Sequence, residues 1–433
     1  MLRVTADQLS TIAGMSDAVI EQIQDNIQET WDAVGKAQKT ADDALEAASG
    51  EVTGPAGGGG YGPEVLACAD APEAVKRAVK AAGGQVSTGG DDAPAFQNLV
   101  NLYGNPRWIG TMKLGSTIGV PKWRYIQSYG PSNYVTGLST LSGQFFLAQH
   151  DHTWFSDFTI SAGDEAAGTH HINTNVADQS GFSTGADACT IMERIVSRNA
   201  KGDAFIVQGY NNRDSKISKL HAWNAVGRGF NLNSPDGRAS DIVSGTSGSH
   251  GVELGSSSAN WHVDGKMWYS DGDGARVDGA RHTIKIEGQD NDLAGVRIIG
   301  NLIEIHSWLA DSNSYSGTKY TNVHSGMEIG LLPASMTNGV WSAGTTKGGY
   351  NITVSGGRAW DKNEGGRGYN QRNGVLIRSG VRGLIMTGVQ TGAPADTHRN
   401  ATGGIVFLTA SDLNHSSNFV TACLSNGARM FSA

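Results

Sequence analysis

The sequence predicts a mainly β fold, a solenoid of stacked coils preceded by an N-terminal helical stalk, and three observations lead to it. Glycine supplies 60 of the 433 residues, about twice its usual share, which favours a chain that turns sharply and often. Strand-like segments with alternating apolar residues recur about every 25 residues, a period typical of solenoids. The first 49 residues carry a helical pattern instead. A β-sandwich is the competing architecture, but its strands should lie roughly 8–12 residues apart.

Residues 1–49 are expected to form a coiled-coil stalk. Apolar residues follow alternating steps of three and four through Ile20, Ile23, Ile27 and Val34 to a series of spaced alanines, and this is the spacing of a heptad seam. Isoleucine at both seam positions favours three or more strands, so these four residues are predicted to face a threefold axis in a homotrimer. A single amphipathic helix on the surface of a domain is the alternative.

Residues 50–63 are predicted to be a linker, because four consecutive glycines among further Gly and Pro residues cannot hold a helix. Residues 64–104 are predicted to form a helical cap region. Its first short helix is expected within 70–83, with Asp70 as the capping residue and a pair of glycines at its end.

A second helix is predicted within 89–102. Asp91 and Asp92 precede it as capping residues, and a proline stands in its first turn. Phe96 and Leu99 then fall on one apolar face of this helix.

The segment Gly89-Gly90-Asp91-Asp92-Ala93-Pro94-Ala95-Phe96-Gln97 resembles the signature that opens right-handed β-helix domains of the pectate-lyase-like superfamily, which is common in bacteriophage tailspikes. Residues 110–121 are similar to the first strands of that family. The resemblance implies that residues 105–433 form a right-handed parallel β-helix that faces the receptor, and that the helix within 89–102 caps its open end.

The solenoid repeat is visible without the family. In each repeat a glycine or polar residue precedes an alternation of inward and outward residues, which predicts a strand with one buried face. The first inward residues recur mostly at intervals of 21 to 31 residues and are predicted to be Phe205, Phe230, Val252, Ala275, Val296, Met327, Ile352, Val375 and Ile405.

The outward residue of each repeat defines a second column. Its predicted members are Asn231, Glu253, Arg276, Arg297, Glu328 and Thr353. Opposite charges at neighbouring steps stabilise stacked strands and discourage edge pairing. A glycan-binding face is the alternative interpretation of this column.

The richest candidate site lies within 261–274. Trp261, Trp268 and Tyr269 are candidate glycan-binding residues, because flat apolar rings fit the face of a pyranose. Asp271 and Asp273 are candidate catalytic carboxylates; on an extended segment they would point the same way, as a glycosidase pair requires. Ordinary turn chemistry and a cation site are the alternatives, since Asp-Gly-Asp-Gly is a common turn sequence.

No cofactor and no metal site is predicted. His150 and His152 would share one face of a strand, and metal-binding pairs of this kind occur in trimeric phage spikes, but surface polar residues are the expected interpretation. The three cysteines, Cys68, Cys189 and Cys423, are too few and too odd in number for a disulfide framework and are expected to be free thiols.

Composition excludes several partner classes. The net charge is −8 and no run of Lys and Arg exceeds two residues, so no nucleic-acid groove is expected. No stretch approaches the roughly 18 apolar residues of a membrane span, so no membrane insertion is expected, and the N-terminus has no apolar signal segment.

The family resemblance implies a trimeric bacteriophage tail spike or tail fibre component. Such a protein would be synthesised in the host cytoplasm, dock into other tail or baseplate proteins through its N-terminus, and attach to host cell-surface polysaccharide as part of the virion. A non-enzymatic adhesin is the preferred expectation. The alternatives are a depolymerase that hydrolyses or lyses capsule, O-antigen or cell-wall glycan, and a secreted polysaccharide lyase outside viruses.

Overall fold

The computed structural model describes residues 60–433 except 131, 151, 177–189, 211, 316–323, 331–335, 338–339, 342–348, 363–369, 379, 393–399, 401–402, 409–414 and 426–433. The predicted stalk, including Ile20, Ile23, Ile27 and Val34, lies outside these residues, as does most of the linker. Within them the β-strands are parallel apart from one short pair, and there are two α-helices, α1 (Glu73–Ala81) and α2 (Ala93–Leu102).

One sheet, here sheet B, has eleven short parallel strands within the described residues. Its strands are Ile118–Val120, Gln144–Ala148, His170–Asn175, Phe205–Gln208, Phe230–Asn233, Val252–Leu254, Ala275–Val277, Val296–Ile298, Met327–Ile329, Asn373–Ile377 and Gly403–Phe407.

The other sheet, sheet A, has twenty strands in the same part of the chain, also parallel. Six long strands occupy its middle: Thr153–Ser161, Thr190–Arg198, Ser215–Trp223, Pro235–Gly245, Ala259–Trp268 and Thr283–Gln289. Before them, shorter strands form the sheet: Val65–Ala67, Gln85–Val86, Arg107–Ile109, Thr111–Leu114, Arg124–Ser128 and Tyr134–Gly137. After them come Ile303–His306, Leu309–Asp311, Ile352–Ser355, Arg358–Trp360, Ile385–Thr387, Gln390–Thr391, Phe419–Thr421 and Leu424–Ser425. A small antiparallel pair, Met336–Thr337 and Val340–Trp341, stands apart.

From Ile118 onward, each coil therefore contributes one strand to sheet B and then one long strand, or two short ones, to sheet A. Strands of successive coils pair in parallel, as a β-helix requires, and the predicted solenoid is confirmed. The core lies between the two sheets, where in-register columns of apolar side chains stack. The rings of Phe205 and Phe230, for example, lie parallel with centroids 5.2 Å apart, and both are fully buried.

The first four of the six long strands of sheet A bend midway, and the bend recurs at the same place in these four successive coils. Asp157, Arg194, Lys219 and Asp241 occupy it with φ angles of 63°, 52°, 54° and 55°. This left-handed conformation turns the strand without interrupting the ladder on either side. In a later coil Gly356 takes the position with φ 63°, which glycine adopts without steric cost.

The column of first inward residues is confirmed except at Ile352. This residue lies in sheet A, where it pairs with Ile303 rather than with Met327. In sheet B, Met327 is followed directly by Val375, because an entire sheet A passage and long loops lie between them. The outward column consequently passes from Glu328 to Leu376, and the assignment of Thr353 to it was wrong.

The helices of the predicted cap region are present, with one difference. Asp70 does not cap α1: its carboxylate accepts the backbone N–H of Thr111 at 2.7 Å, and Pro72 occupies the N-cap position. The strand Val65–Ala67 pairs with Arg107–Ile109. The region predicted as a cap therefore also supplies the first strand of sheet A.

The two aspartates before α2 tie this helix to the β-helix. The carboxylate of Asp91 accepts the N–H groups of Ala93 (2.9 Å) and Gly115 (2.7 Å). That of Asp92 accepts the N–H of Lys113 at 2.9 Å instead of capping the helix itself. On the inner side of α2, Phe96 and Leu99 are buried in the main hydrophobic core.

Candidate functional site

Trp268 and Tyr269 lie where the strands of sheet A end and the coil turns toward sheet B. Trp268 is the last residue of Ala259–Trp268 and is half-buried. Tyr269 follows with a φ of 51° and is 45% exposed. Its N–H donates to the carbonyl of Gln289 in the next coil (3.2 Å), which fixes the corner. The two predicted aromatic residues are therefore adjacent and reachable from solvent.

A second tryptophan, Trp223, extends this aromatic corner. Trp223, Gly245 and Trp268 occupy the same position in three consecutive coils. Across Gly245 the two indole rings lie 6.3 Å apart at 43°. A Cβ at Gly245 would stand 2.2 Å from the ring of Trp223, so the absence of a side chain lets the indoles lie over that coil. We call Trp223, Trp268 and Tyr269 the corner aromatic surface.

Charged groups border the corner aromatic surface. The ammonium of Lys266 lies over the ring of Trp268, 5.7 Å from its centroid, and pairs with Glu287 at 3.0 Å. Lys266 remains 51% exposed. The surface thus combines flat apolar rings with a cation and a carboxylate that can reach hydroxyl groups of a ligand.

Trp261 does not belong to the corner aromatic surface. It is fully buried, and its indole Nε1–H donates to the carbonyl of Ser234 at 2.7 Å. Along this strand Trp261, Val263 and Met267 point inward, whereas Trp268 points outward. The expectation that Trp261 offers a ring face to a sugar was wrong, because its side chain has the parity of the core.

Asp271 and Asp273 lie in the turn between Ala259–Trp268 and Ala275–Val277, but they do not form a pair. Asp271 is exposed, whereas Asp273 is fully buried. The segment is a turn rather than an extended strand, so the condition under which both carboxylates would point the same way is not met, and the alternative of ordinary turn chemistry describes it. Of the two carboxylates, only Asp271 is exposed, as the neighbouring Tyr269 is.

Asp273 belongs to a buried charge network outside sheet B. Arg297 donates to both of its carboxylate oxygens, at 3.0 and 2.8 Å, and also to Glu328 at 2.5 Å. Glu328 accepts in turn from Arg378 (2.5 Å) and contacts Nδ1 of His324 at 3.2 Å. Arg297 and Glu328 therefore stack as the outward column predicts, but they are covered by protein rather than exposed.

Electrostatics holds this network ionised. Burial by itself would raise the pKa of the Glu328 carboxyl, but Arg297 and Arg378 hold the pKa well below its ordinary value. Burial likewise opposes ionisation of Asp273, and Arg297, with a smaller effect of His250, lowers its pKa. These carboxylates are fixed anions engaged with arginines, which is a structural role rather than that of a proton donor.

The network continues to the surface in the preceding coils. Arg228 donates to Asp203 at 2.7 Å and to Glu253 at 2.6 Å. Glu253 also lies 3.7 Å from Arg276, whose side chain is 34% exposed. In the outward column, Glu253 and Arg276 are therefore partly exposed and carry opposite charges, whereas Arg297 and Glu328 are buried.

Sequence reasoning missed Trp223. The signal that could have found it is its position: Trp223 and Trp268 are 45 residues apart, close to two solenoid periods, which places them on the same corner two coils apart. The intervening glycine completes the pattern, because a residue without a side chain leaves room between two large rings.

The remaining candidates are the histidine pair, the helices and the cysteines. Among the described residues, no group of three or more His, Cys, Asp or Glu is arranged to hold a metal ion. His150 is exposed and the ring of His152 stacks on Trp123. Neither helix in the described part of the chain is long and apolar enough to cross a membrane. Cys68 is a buried free thiol, Cys423 is free and half-buried, and Cys189 lies outside the described residues.

Comparison with known proteins identifies the fold through structure alone. No protein-family model matches the sequence, and no curated protein matches it. The enzymatically active domain of tailspike protein 2 from bacteriophage CBA120 matches with a TM-score of 0.59 at 14% identity, over 79% of this chain and 50% of that one. Full-length tailspike protein 2 from the Escherichia coli O157:H7 bacteriophage CAB120 matches with a TM-score of 0.53 at 13% identity, over 70% of this chain and 45% of that one. The chain spans half or less of the length of these two structures, and it has the parallel β-helix fold that they share.

Proposed function

We propose that this protein is a bacteriophage tail spike or tail fibre component that attaches to host cell-surface polysaccharide. The observation that carries the proposal is the corner aromatic surface, where Trp223 and Trp268 present two indoles on a rigid β-helix. The fold shared with two phage tailspike structures supports the viral setting. The handedness of the coil, right-handed in nearly all parallel β crossovers, is part of the same proposal.

The corner aromatic surface has the chemistry of a weak sugar site. An indole face excludes water from the apolar face of a pyranose, while Lys266 and Glu287 can hydrogen-bond its hydroxyls. Both rings sit on strand ends rather than on long loops, so little conformational entropy is lost on binding.

Trimerisation would turn weak sites into firm attachment. Three copies joined by the stalk would meet a repetitive polysaccharide together, and the second and third contacts then form at high effective concentration. The predicted seam of Ile20, Ile23, Ile27 and Val34 is the proposed source of the trimer, with the N-terminus docking into other tail proteins.

The test is adsorption of labelled full-length protein to a panel of bacterial strains. On a strain that the wild type adsorbs, Trp268→Ala and Trp223→Ala should each reduce apparent affinity about tenfold or more, a loss of roughly 1.4 kcal/mol. Tyr350→Ala is the matched control, because Tyr350 is an exposed aromatic residue at the opposite end of the sheet A strands. Equal adsorption by all four proteins would contradict the proposal.

A polysaccharide depolymerase is the second candidate, favoured by one observation: one of the two tailspike structures compared above is described as an enzymatically active domain. In this chain Asp271 is the exposed carboxylate beside the aromatic corner, whereas Asp273 is held by Arg297. Saccharide release from an adsorbing strain, abolished by Asp271→Asn with adsorption retained, would support the enzyme. Adsorption by the wild type with no release would support the adhesin.

A further inference from the structure

The corner aromatic surface is part of a longer column at the ends of the sheet A strands. The register of the paired strands places one residue of each coil in line with Trp223 and Trp268. We call this line the corner column, and its members in chain order are Arg198, Trp223, Gly245, Trp268, Gln289, Asp311 and Trp360. Six steps between paired strands, at roughly 4.8 Å each, give it a length of about 29 Å. The column is therefore long enough to contact a run of several sugar units.

The far end of the corner column repeats the arrangement around Trp268. Trp360 is the last residue of Arg358–Trp360 and is half-buried, as Trp268 is at the end of its own strand. The guanidinium of Arg358 lies over the ring of Trp360, 5.5 Å from its centroid, as the ammonium of Lys266 lies over Trp268 at 5.7 Å. In both coils the cation precedes the tryptophan by two residues, and such residues of a strand share a face. Trp360 is thus a further indole platform, three coils and about 14 Å beyond Trp268.

Two lysines beside the corner column are already neutralised. Lys266 pairs with Glu287 at 3.0 Å. Lys362 pairs with the buried carboxylate of Asp311. Asp361, also buried, accepts two backbone N–H groups at 2.7 and 2.9 Å. The carboxylates of these three acids are therefore engaged by lysines or by the backbone.

Two arginines of the same surface have no acidic neighbour in register. Arg198 is exposed, and its register partners are Ser161 and Trp223. Arg358 is exposed as well, and its register partners are a leucine and a glutamine. Within the described part of the chain neither guanidinium forms an ion pair or donates a side-chain hydrogen bond. Each end of the corner column therefore has a positive charge without a carboxylate.

The exposed acid beside the corner aromatic surface does not cancel these charges. Asp271 lies in the turn that follows Tyr269, in the coil of Trp268. This coil is three steps from the coil of Arg198 and three steps from that of Arg358, or roughly 14 Å in each direction. The Debye length at physiological ionic strength is only about 8 Å, so the carboxylate is largely screened from both guanidinium groups.

Exposed guanidinium groups next to indole platforms favour an anionic ligand. The planar fork of arginine binds a carboxylate or a phosphate with two parallel hydrogen bonds, whereas a neutral sugar leaves its charge unused. The chain as a whole has a net charge of −8, so its overall field repels polyanions. Local cations on the binding surface are then needed to hold one.

We propose that the corner column binds a run of an anionic polysaccharide, extended in the direction in which the coils stack. Sugar rings lie on its three tryptophans, and carboxylate or phosphate groups of the sugars pair with Arg198 and Arg358. The inference rests on the proposed function for the presence of a polysaccharide. It adds the charge class of that polymer and a third indole platform, Trp360.

The test uses the full-length protein and three polymers. Polygalacturonate carries carboxylates, glycerol teichoic acid carries phosphates, and dextran is neutral; binding is measured by titration calorimetry at low and high salt. At least one anionic polymer should bind about tenfold or more tightly than dextran, and its binding should weaken as salt rises. The polymer that binds distinguishes carboxylate from phosphate recognition. Arg358→Gln and Trp360→Ala should each weaken this binding about tenfold, a loss typical of one charge-assisted hydrogen bond or one ring contact.

Arg238→Gln is the matched control. Arg238 is exposed on the same sheet but lies near the start of Pro235–Gly245, at the opposite end from the corner column. This variant should bind as the wild type does, and an equal loss on Arg238→Gln would indicate general charge attraction and overturn the inference. Dextran binding as tight as that of the anionic polymers would overturn it, as would binding of neither anionic polymer or binding that survives both Arg358→Gln and Trp360→Ala.

Failure of the proposed function has a different signature. If an anionic polymer binds through Arg358 and Trp360 but no bacterial strain is adsorbed, the corner column is retained as a polyanion site and the proposed host attachment fails. If a strain is adsorbed through Trp223 and Trp268 but Arg358→Gln changes neither adsorption nor polymer binding, host attachment is retained and the present inference is overturned.

Discussion

Arg297 donates to both carboxylate oxygens of Asp273, and neither side chain is exposed to solvent. Two residues earlier in the same turn, Asp271 is exposed. Two carboxylates that look equivalent in the Asp-Gly-Asp-Gly sequence are therefore physically different: one neutralises a buried guanidinium, and the other faces water.

This difference predicts that the same change, Asp to Asn, affects the free energy of unfolding at position 273 but not at position 271. Asp273→Asn leaves the positive charge of Arg297 incompletely compensated in the interior and should lower the free energy of unfolding by roughly 3–5 kcal/mol. Asp271→Asn, the matched control in the same turn, should leave stability unchanged within measurement error. Urea unfolding of both variants followed by circular dichroism makes the comparison, and equal stability of the two would contradict the role assigned to the Asp273–Arg297 pair.

The sequence alone was sufficient for the repeat, because alternation of apolar and polar residues survives in each strand. It misled at Ile352, since an apolar alternation looks the same in either sheet, and only the pairing with Ile303 assigns the strand to sheet A. The bend midway along the long strands of sheet A could not be predicted either, because Asp157, Arg194 and Lys219 share a left-handed backbone conformation but no residue type.

The candidate site was predicted less well than the fold, for a physical reason. The alternation of inward and outward residues along Ala259–Trp268 places Trp261 with the core. Trp261 was assigned to the glycan-binding residues because it is aromatic, and the direction of its side chain along the strand was not considered. The burial of Asp273 could not be foreseen in the same way. It depends on Arg297, one coil further along the chain, whose guanidinium donates to both carboxylate oxygens.

Helix α2 offers a test of the cap. Phe96 is fully buried, and its ring meets the edge of Trp108 with centroids 5.5 Å apart. Phe96→Ala should leave a cavity at the end of the core and cost about 3–5 kcal/mol of unfolding free energy. Leu102→Ala in the same helix is the control, because Leu102 is 64% exposed and its truncation opens no cavity. Similar urea midpoints for both variants would argue against a capping role for Phe96.

His282 predicts a loss of stability in mild acid. Burial lowers its pKa from 6.5 to about 4. The neutral ring links neighbouring coils, because Nδ1 accepts the backbone N–H of Trp261 at 3.1 Å while Nε2 lies 2.9 Å from the carbonyl oxygen of Asp278. Below pH 6.5 the unfolded chain binds the proton and the folded chain does not. Unfolding free energy should therefore fall between pH 6.5 and 4 by about 3 kcal/mol from this residue.

The measurement is the urea midpoint at several pH values in that window. His282→Gln, which removes the titrating group, should be less stable than the wild type at pH 7 but lose less on acidification to pH 4.5. Some pH dependence remains in the variant, because burial also lowers the pKa of His171 to about 3. An identical pH slope for the wild type and His282→Gln would contradict the prediction.

The stalk gives the last prediction, which concerns residues outside the described part of the chain. If Ile23 and Ile27 face a threefold axis, Ile23→Asp together with Ile27→Asp would bring three copies of each carboxylate together in an apolar seam and should dissociate the trimer. The control adds the same charges at positions off the seam, as Gln24→Asp with Gln28→Asp. Light scattering on the full chain of 45.4 kDa should give three times this mass for the wild type and the control, and the monomer mass for the seam variant. A monomeric wild type would contradict the trimer, and a seam variant that remains trimeric would place the threefold contacts elsewhere in the protein.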